Sequence, residues 1–175
     1  MTKTFIDRTH GVSDNFLAYT AGFIDGDGCI TLTKKSSLGS SGKRHVAVVP
    51  LIVVTNTNLK IIKLLHKIFG GYINKHNLSK NTVRKYYEGP GFNYKFRKTI
   101  YHLEIQYQQA LFLAKAIYPY LVIKKAQVAV LFDYEQLLLQ GKLWGMKSIK
   151  HKQLGKFKLR LKDKMHKLNH RGVPK

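Results

Sequence analysis

The sequence predicts an α+β fold of the form αββαββα followed by one more helix. Apolar residues recur at helical spacing in some windows and alternate in others, and Gly or Pro separates the windows at lengths that suit short strands and helices. Taken in order, the windows read helix, two strands, helix, two strands, helix, helix. With 175 residues and 44% hydrophobic content, the chain is long enough to bury one core.

The first helix lies in residues 15–30, NFLAYTAGFIDGDGCI. Ser13 and Asp14 precede it and are good N-cap residues, while Gly26 and Gly28 permit the backbone angles of a stop. Ala18, Ala21, Gly22 and Asp25 line one stripe, and Phe16, Phe23 and Ile24 fall where they can reach a core. A stripe of small side chains lets two helix backbones approach closely, so a helix–helix contact is expected there. The chain carries a formal charge of +22, from 31 Lys and Arg against 9 Asp and Glu, yet it sets Asp25 and Asp27 at this helix C-terminus. That end bears about half a negative charge, so a carboxylate there is unfavourable by about 0.3–1 kcal/mol unless a cation compensates. The placement asks for a metal ion; the competing reading is a solvated Asp-Gly turn.

Residues 29–35 alternate as a strand, with Ile30 and Leu32 on one side and Thr31, Thr33 and Lys35 on the other. Residues 36–42, SSLGSSG, form a turn or hairpin tip, and residues 44–55 return as a strand apolar on both faces, which suits a central position. Asn56-Thr57-Asn58 caps a helix over residues 59–69, with Ile62, Leu65 and Phe69 inward and Gly70-Gly71 as its stop. Residues 72–76 and 99–106 pair as a hairpin, the second strand turning Tyr101, Leu103 and Ile105 inward and Ile100, His102 and Glu104 outward. Their connection, residues 77–98, mixes basic and aromatic side chains and is long for a structureless loop. Residues 108–118 form a helix ended by Pro119, and residues 124–140 another ended by Gly141.

From Lys142 onward the charged residues are all Lys or Arg except Asp163. Leu154, Phe157, Leu161, Met165 and Leu168 recur at helical spacing, so part of it is expected to fold as a basic amphipathic helix. The expected division is a core over residues 1–141 and a basic extension over residues 142–175, packed on the core or on nucleic acid.

Basic residues spread over the whole chain point to a polyanionic partner, with nucleic acid first among the candidates. Binding of the basic tail to a membrane surface is the competing reading; the upstream sheet region argues against it, because it is equally basic. The lone Cys29 excludes an intramolecular disulfide framework and fits a reducing, intracellular compartment. No apolar run is long enough for a membrane span, and no membrane partner is expected.

The run Thr20-Ala21-Gly22-Phe23-Ile24-Asp25-Gly26-Asp27-Gly28 resembles the nine-residue signature of the LAGLIDADG homing endonucleases. Thr20, Phe23 and Gly26 depart from its first leucine, second leucine and alanine. The resemblance extends from Phe16 to Glu135 through the order of elements. It implies a curved antiparallel sheet lying along the DNA major groove and a motif helix that pairs with a second copy of itself. It also implies that Asp27 binds divalent metal, with the backbone carbonyl of Gly26 nearby. Asn56 stands where relatives carry a polar residue beside the attacking water. The run Pro119-Tyr120-Leu121-Val122-Ile123-Lys124-Lys125-Ala126-Gln127 resembles the family's proline, leucine, lysine and glutamine pattern, which makes Lys124 the lysine of the pocket with Gln127 in support. Against this, Lys124 is one more cation on a very basic chain. Lys60 is the candidate for a second basic residue.

The chain holds one motif copy, so the helix pairing requires a second chain, and a homodimer is expected. The implied activity is site-specific cleavage of a long, near-palindromic duplex into short 3′ overhangs. The implied cofactor is Mg2+ or Mn2+, with Ca2+ binding but not supporting cleavage. For base contacts the candidates are Thr31, Thr33, Lys35, Asn74, His76 and His102, with Lys34, Lys43 and Arg44 near the hairpin tip. Arg84, Lys85 and Lys142 are candidates for phosphate contacts. Two other functions of the same fold stay open: an intron RNA maturase and a DNA-binding regulator without chemistry. The expected location is an organelle, mitochondrion or chloroplast, or a prokaryotic cytoplasm.

Overall fold

The computed structural model describes residues 8–38, 42, 44–76, 99–144 and 149–169. Its elements in chain order are α1 (Asp14–Asp27), β1 (Gly28–Leu38), β2 (Arg44–Asn56), α2 (Leu59–Phe69), β3 (Tyr72–His76), β4 (Ile100–Gln106), α3 (Tyr107–Ile117), α4 (Lys125–Trp144) and α5 (Ile149–Asn169). A turn of 3-10 helix, Tyr118–Tyr120, links α3 to the segment before α4.

The strands form an antiparallel four-stranded sheet in the order β1-β2-β4-β3. Register sets Ile30 opposite Ile52 and Ile52 opposite Ile105, with Val54 opposite Leu103. These residues are almost wholly buried, and together with Leu32 they form the sheet side of the core. Helix residues fill the other side, among them Leu17, Ala21 and Ile24 of α1, Ile62 and Leu65 of α2, Leu111 and Ile117 of α3, and Val128 and Leu131 of α4. Burying such side chains contributes about 1.5–3 kcal/mol each, so the alternation in the strands and the helical stripes have one cause.

Several boundaries differ from those read in the sequence. β1 runs on to Leu38 because its partner continues to Arg44, and every residue added to the ribbon gains a paired neighbour. Helix α4 continues through Gly141 to Trp144: a glycine weakens a helix by about 1 kcal/mol but does not end it. Helix α3 stops at Ile117 and tightens into the 3-10 turn, with Tyr118 before the proline keeping helical angles of φ −51° and ψ −43°. Its start is abrupt. Tyr107 has a φ of 57°, so the chain turns from β4 into α3 at a residue in the left-handed region.

Gly28 has a different reason to be glycine from the one its sequence suggests. Its φ of −96° and ψ of 165° are open to any residue. A Cβ there, however, would lie 2.7 Å from the carbonyl oxygen of Ile24. Close approach of backbones, and not a special dihedral, excludes a side chain at the point where α1 turns into β1.

Helix α5 lies across α4 and the start of β1. Leu154 and Met165 are buried and Leu161 packs on the core, but Phe157 and Leu168 are 42% and 40% exposed. The buried stripe is completed by polar residues: Lys158 sits with its ammonium 5.7 Å from the centre of the Tyr134 ring, and Asn169 donates from Nδ2 to the carbonyl of Ile30 at 2.9 Å. Among the described residues no helix is long and apolar enough to cross a membrane.

Candidate functional site

The C-terminal end of α1 carries no basic residue in its last turn, so the helix itself offers nothing to balance Asp25 and Asp27. The balance comes from the segment before α4. The Asp25 carboxylate accepts from the main-chain N–H of Val122 at 2.7 Å, Ile123 at 3.1 Å and Lys124 at 2.9 Å. It thereby holds the segment that leads into α4, up to the N–H of Lys124 just before the first turn. Lys124, 8% exposed, turns back and donates from Nζ to the carbonyl of Ile24 at 2.9 Å and to that of Asp25. A cation at a helix C-terminus and an anion at a helix N-terminus are each favourable, and here one pair of residues supplies both.

Burial pushes the Asp25 carboxyl up, but the three main-chain donors and the Lys124 charge outweigh it, and its pKa lies below the ordinary carboxylate value. The demand for a cation at the end of α1 is therefore met for Asp25 inside the chain. Asp27 is the carboxylate left exposed, and Asn56 donates to its Oδ2 from Nδ2 at 3.3 Å. Asn56 is itself held by its neighbour, since its Oδ1 accepts the N–H of Asn58 at 2.8 Å. Asn58 in turn caps α2 by accepting from the N–H of Lys60 at 2.9 Å. The end of β2 and the start of α2 thus place Asn56 against the tip of α1.

Gln127 stands beside this tip, on the side of α5. Its Nε2 reaches the carbonyl of Leu168 at 3.5 Å and Oδ1 of Asn169 at 3.4 Å, which ties α4 to the end of α5, and its Oε1 is buried without a hydrogen-bond partner. With Asp25, Gly28, Lys124 and Asn169 it lines a cleft of about 330 Å³. Lys124 and Gln127 thus share one cleft but differ in partners: Lys124 closes the acidic helix, and Gln127 reaches the C-terminal helix.

Of the four stripe residues expected to pair with another helix, two are engaged within the chain. Ala21 is fully buried in the chain's own core, because it continues the inward line of Leu17 and Ile24. Asp25 is engaged by the segment before α4. Ala18 and Gly22 are exposed, with Tyr19 and Gly26 beside them, and among the described residues nothing beyond the helix's own nearby backbone lies within 4 Å of a Cβ placed at Gly22 or Gly26. The outward stripe is rotated away from Ala21 and remains one of small residues.

The sheet face opposite the core is largely polar on β1, β4 and β3 and mostly apolar on β2. Thr31, Thr33 and Lys35 of β1 stand on it, then Leu51, Val53 and Thr55 of β2, His102, Glu104 and Gln106 of β4, and Tyr72, Asn74 and His76 of β3. Side chains join across it. Lys35 donates to Oε1 of Gln106 at 2.6 Å, Thr55 meets Nδ1 of His102 at 3.4 Å, and the rings of His76 and His102 lie 4.4 Å apart. Burial, then the charge of His76, hold His102 below the ordinary imidazole pKa against the opposing pull of Glu104.

Six of the expected base-facing residues, Thr31, Thr33, Lys35, Asn74, His76 and His102, therefore share one face. Lys34 does not. The pleat turns it to the helix-bearing side, where it lines a groove with Val46, Val48, Gly155 and Lys158. Arg44 is exposed at the far end of β2. Lys43, Arg84 and Lys85 lie outside the described residues, as do the whole 77–98 connection and the side chain of Lys142. Glu104 and Gln106 were not expected at the site. Their alternation with His102 was the available signal, but an acid on a basic chain gave no reason to read it as part of an anion-facing surface.

Fold and site together define an α+β protein that presents an acidic helix tip, beside an exposed small-residue stripe, next to a hydrogen-bonded polar sheet face. The family model for LAGLIDADG endonucleases matches residues 20–104, the stretch that carries the one copy of the motif. No curated protein sequence matches the chain. Among solved structures it is similar to the homing endonuclease I-CvuI, crystallised with its target, at 20% identity and a TM-score of 0.62 over 97% of this chain and 87% of that one. The archaeal intron-encoded homing endonuclease I-Vdi141I, complexed with DNA, is similar at 17% identity and 0.58 over 93% and 89%. The group I intron-encoded homing endonuclease I-CeuI, also complexed with DNA, is similar at 19% and 0.54 over 88% and 67%. At these identities the likeness establishes the fold.

Proposed function

We propose that this chain is a site-specific double-strand DNA homing endonuclease that acts as a homodimer on a long, near-palindromic target and leaves short 3′ overhangs. The observation that carries the reading is the position of Asp27. It is an exposed carboxylate, braced by Asn56, at the end of a helix whose outward stripe of Ala18 and Gly22 lets a second copy approach. The family-model match over residues 20–104 and the DNA complexes of I-CvuI and I-Vdi141I support the choice of substrate.

Among the described residues no three His, Cys, Asp or Glu gather in one place. Asp27 and the Gly26 carbonyl instead suit a hydrated hard cation that takes one or two carboxylates, the second from the partner chain. Two such carboxylates about 4 Å apart repel by roughly 4 kcal/mol at an effective dielectric near 20, so the pair is poorly tolerated without a cation. Mg2+, or Mn2+ in its place, would neutralise charge at the scissile phosphate and lower the pKa of a bound water; Ca2+ is expected to bind without supporting cleavage. Asn56 orients the Asp27 carboxylate, Lys124 holds the carbonyl end of α1 in place, and Gln127 fixes α5 against α4. The open sheet face contacts bases in the major groove, while Arg84, Lys85, Lys142 and the basic α5 contact phosphates.

We further take residues 1–141 as the endonuclease core and residues 142–175 as an extension. The location in a reducing compartment, organellar or prokaryotic, belongs to the same proposal. The test is to incubate purified protein with Mg2+ and randomised duplex DNA and to sequence the ends produced. Defined ends that vanish in Asp27→Asn support the reading. Retention of intron RNA with no DNA ends would favour a maturase, and duplex selection indifferent to Asp27 would favour a regulator without chemistry.

A further inference from the structure

We propose that Glu104 is a positioning residue for sequence readout: it fixes the amide of Asn74 so that this side chain selects an A·T pair in each half-site. The inference rests on the DNA-binding reading above and adds a specificity determinant to it.

Glu104 is the one carboxylate on the open sheet face among the described residues. On a surface that meets a polyanion, an acid is electrostatically unfavourable unless it does something else. Both of its oxygens are committed. Oε1 accepts from Nδ2 of Asn74 at 3.0 Å, and Oε2 accepts from Nε2 of Gln106 at 2.8 Å. Gln106 then accepts on Oε1 from Lys35 at 2.6 Å. Register explains the contacts. Glu104 is opposite Tyr72, so Asn74 is its diagonal neighbour on β3, while Gln106 is two residues along the same strand and on the same face.

The chain of bonds has a direction. A carboxylate only accepts, so it forces the NH2 side of both amides toward itself and settles which way each amide points. Gln106 is 8% exposed and uses its oxygen for Lys35, so it serves as a link and not as a reader. Asn74 is exposed, and among the described residues its Oδ1 and second N–H take no part in the network. An oriented acceptor and donor on one amide match the N6–H and N7 edge of adenine in the major groove. Lys35, drawn across the sheet by Gln106, brings positive charge to the acid and reduces its repulsion of phosphate.

The experiment selects randomised duplexes with full-length protein in Ca2+, comparing wild type with Glu104→Gln and Asn74→Ala, and measures affinity for a non-specific duplex alongside. A glutamine at 104 can accept from only one of the two amides. The expected result is that preference for adenine at one position per half-site falls about tenfold in both variants, at the same position. Non-specific affinity of Glu104→Gln stays equal or rises, because a negative charge has left the face. Unchanged preferences in either variant overturn the proposal. So does relaxation in Glu104→Gln at a position that Asn74→Ala leaves intact, since the carboxylate would then read a base itself. If Glu104→Gln does not fold, Asn74→Ala decides alone, being an exposed substitution. A wild-type protein that selects no duplex removes the DNA-binding reading and this inference together, whereas a selected motif indifferent to both variants removes only the inference.

Discussion

Lys124 donates from its ammonium to the carbonyl oxygen of Ile24, 100 residues earlier in the chain and 2.9 Å away. The cation that the first helix lacks at its end is supplied by the segment before the fourth. Replacing Lys124 with Met keeps the length of the stem and removes the charged donor. Bonds to charged groups contribute about 1.5–3 kcal/mol, and a loss of that order is expected in denaturant unfolding, together with loss of cleavage. Lys124→Arg should not restore either, because a planar guanidinium does not fit where a compact ammonium sits among carbonyls.

The Asp25 carboxylate makes stability depend on acid. Its folded pKa is depressed, because the main-chain donors and Lys124 outweigh its burial. Its contribution is complete above the unfolded value of about 3.9 and is lost as pH falls through the lower folded value. Thermal unfolding followed from neutral pH downward should show Asp25→Asn less stable at neutrality and less sensitive to acid. Parallel acid limbs for the two proteins would contradict the assignment.

Asp27 is exposed and contributes little to the fold, so Asp27→Asn should alter stability by no more than about 0.5 kcal/mol. Cleavage should disappear while the protein still retards duplex DNA on a gel. Chelation with EDTA should act on the wild type in the same way, and added Mg2+ should reverse it. Simultaneous loss of cutting and retention in the variant would mean that Asp27 does more than chemistry.

Gly22 offers opposite signs for folding and pairing. Space around it is open within the chain, and an exposed helical glycine is about 1 kcal/mol less favourable than a good helix former. Gly22→Leu should therefore raise the stability of the isolated fold. If α1 pairs with its copy through this stripe, the same change should shift the protein from dimer to monomer in sedimentation velocity and abolish double-strand cleavage.

A methyl group at Gly28 has nowhere to go, since it would press on the backbone of Ile24. Gly28→Ala should destabilise by about 1–3 kcal/mol, as overpacking does. Circular dichroism melting checks this directly.

Residues close in sequence determined most of the elements. Helix α2 falls at the residues its Asn58 cap and its Gly70 stop indicate, and β3 falls where the alternation of Tyr72, Ile73 and Asn74 begins. These signals are local: a cap, a glycine and a period of two or four each act within a few residues, so they can be read from the chain as a line. The acidic tip with Asp25 and Asp27 was legible for the same reason, as was its family resemblance.

Only the tertiary structure decided what those residues do to one another. Asp25 and Asp27 are two positions apart and read alike, yet one is consumed by the start of α4 and the other stays open. Ala21 and Gly22 are adjacent small residues, but a step of about 100° around the helix puts the first in the core and the second outside. Lys34 and Lys35 are neighbouring lysines on opposite faces of a pleat. Glu104 acquires a purpose only when Asn74 and Gln106 are brought beside it. In each case the deciding partner comes from a distant segment or the opposite face, and hydrogen bonds and burial depend on that proximity in space.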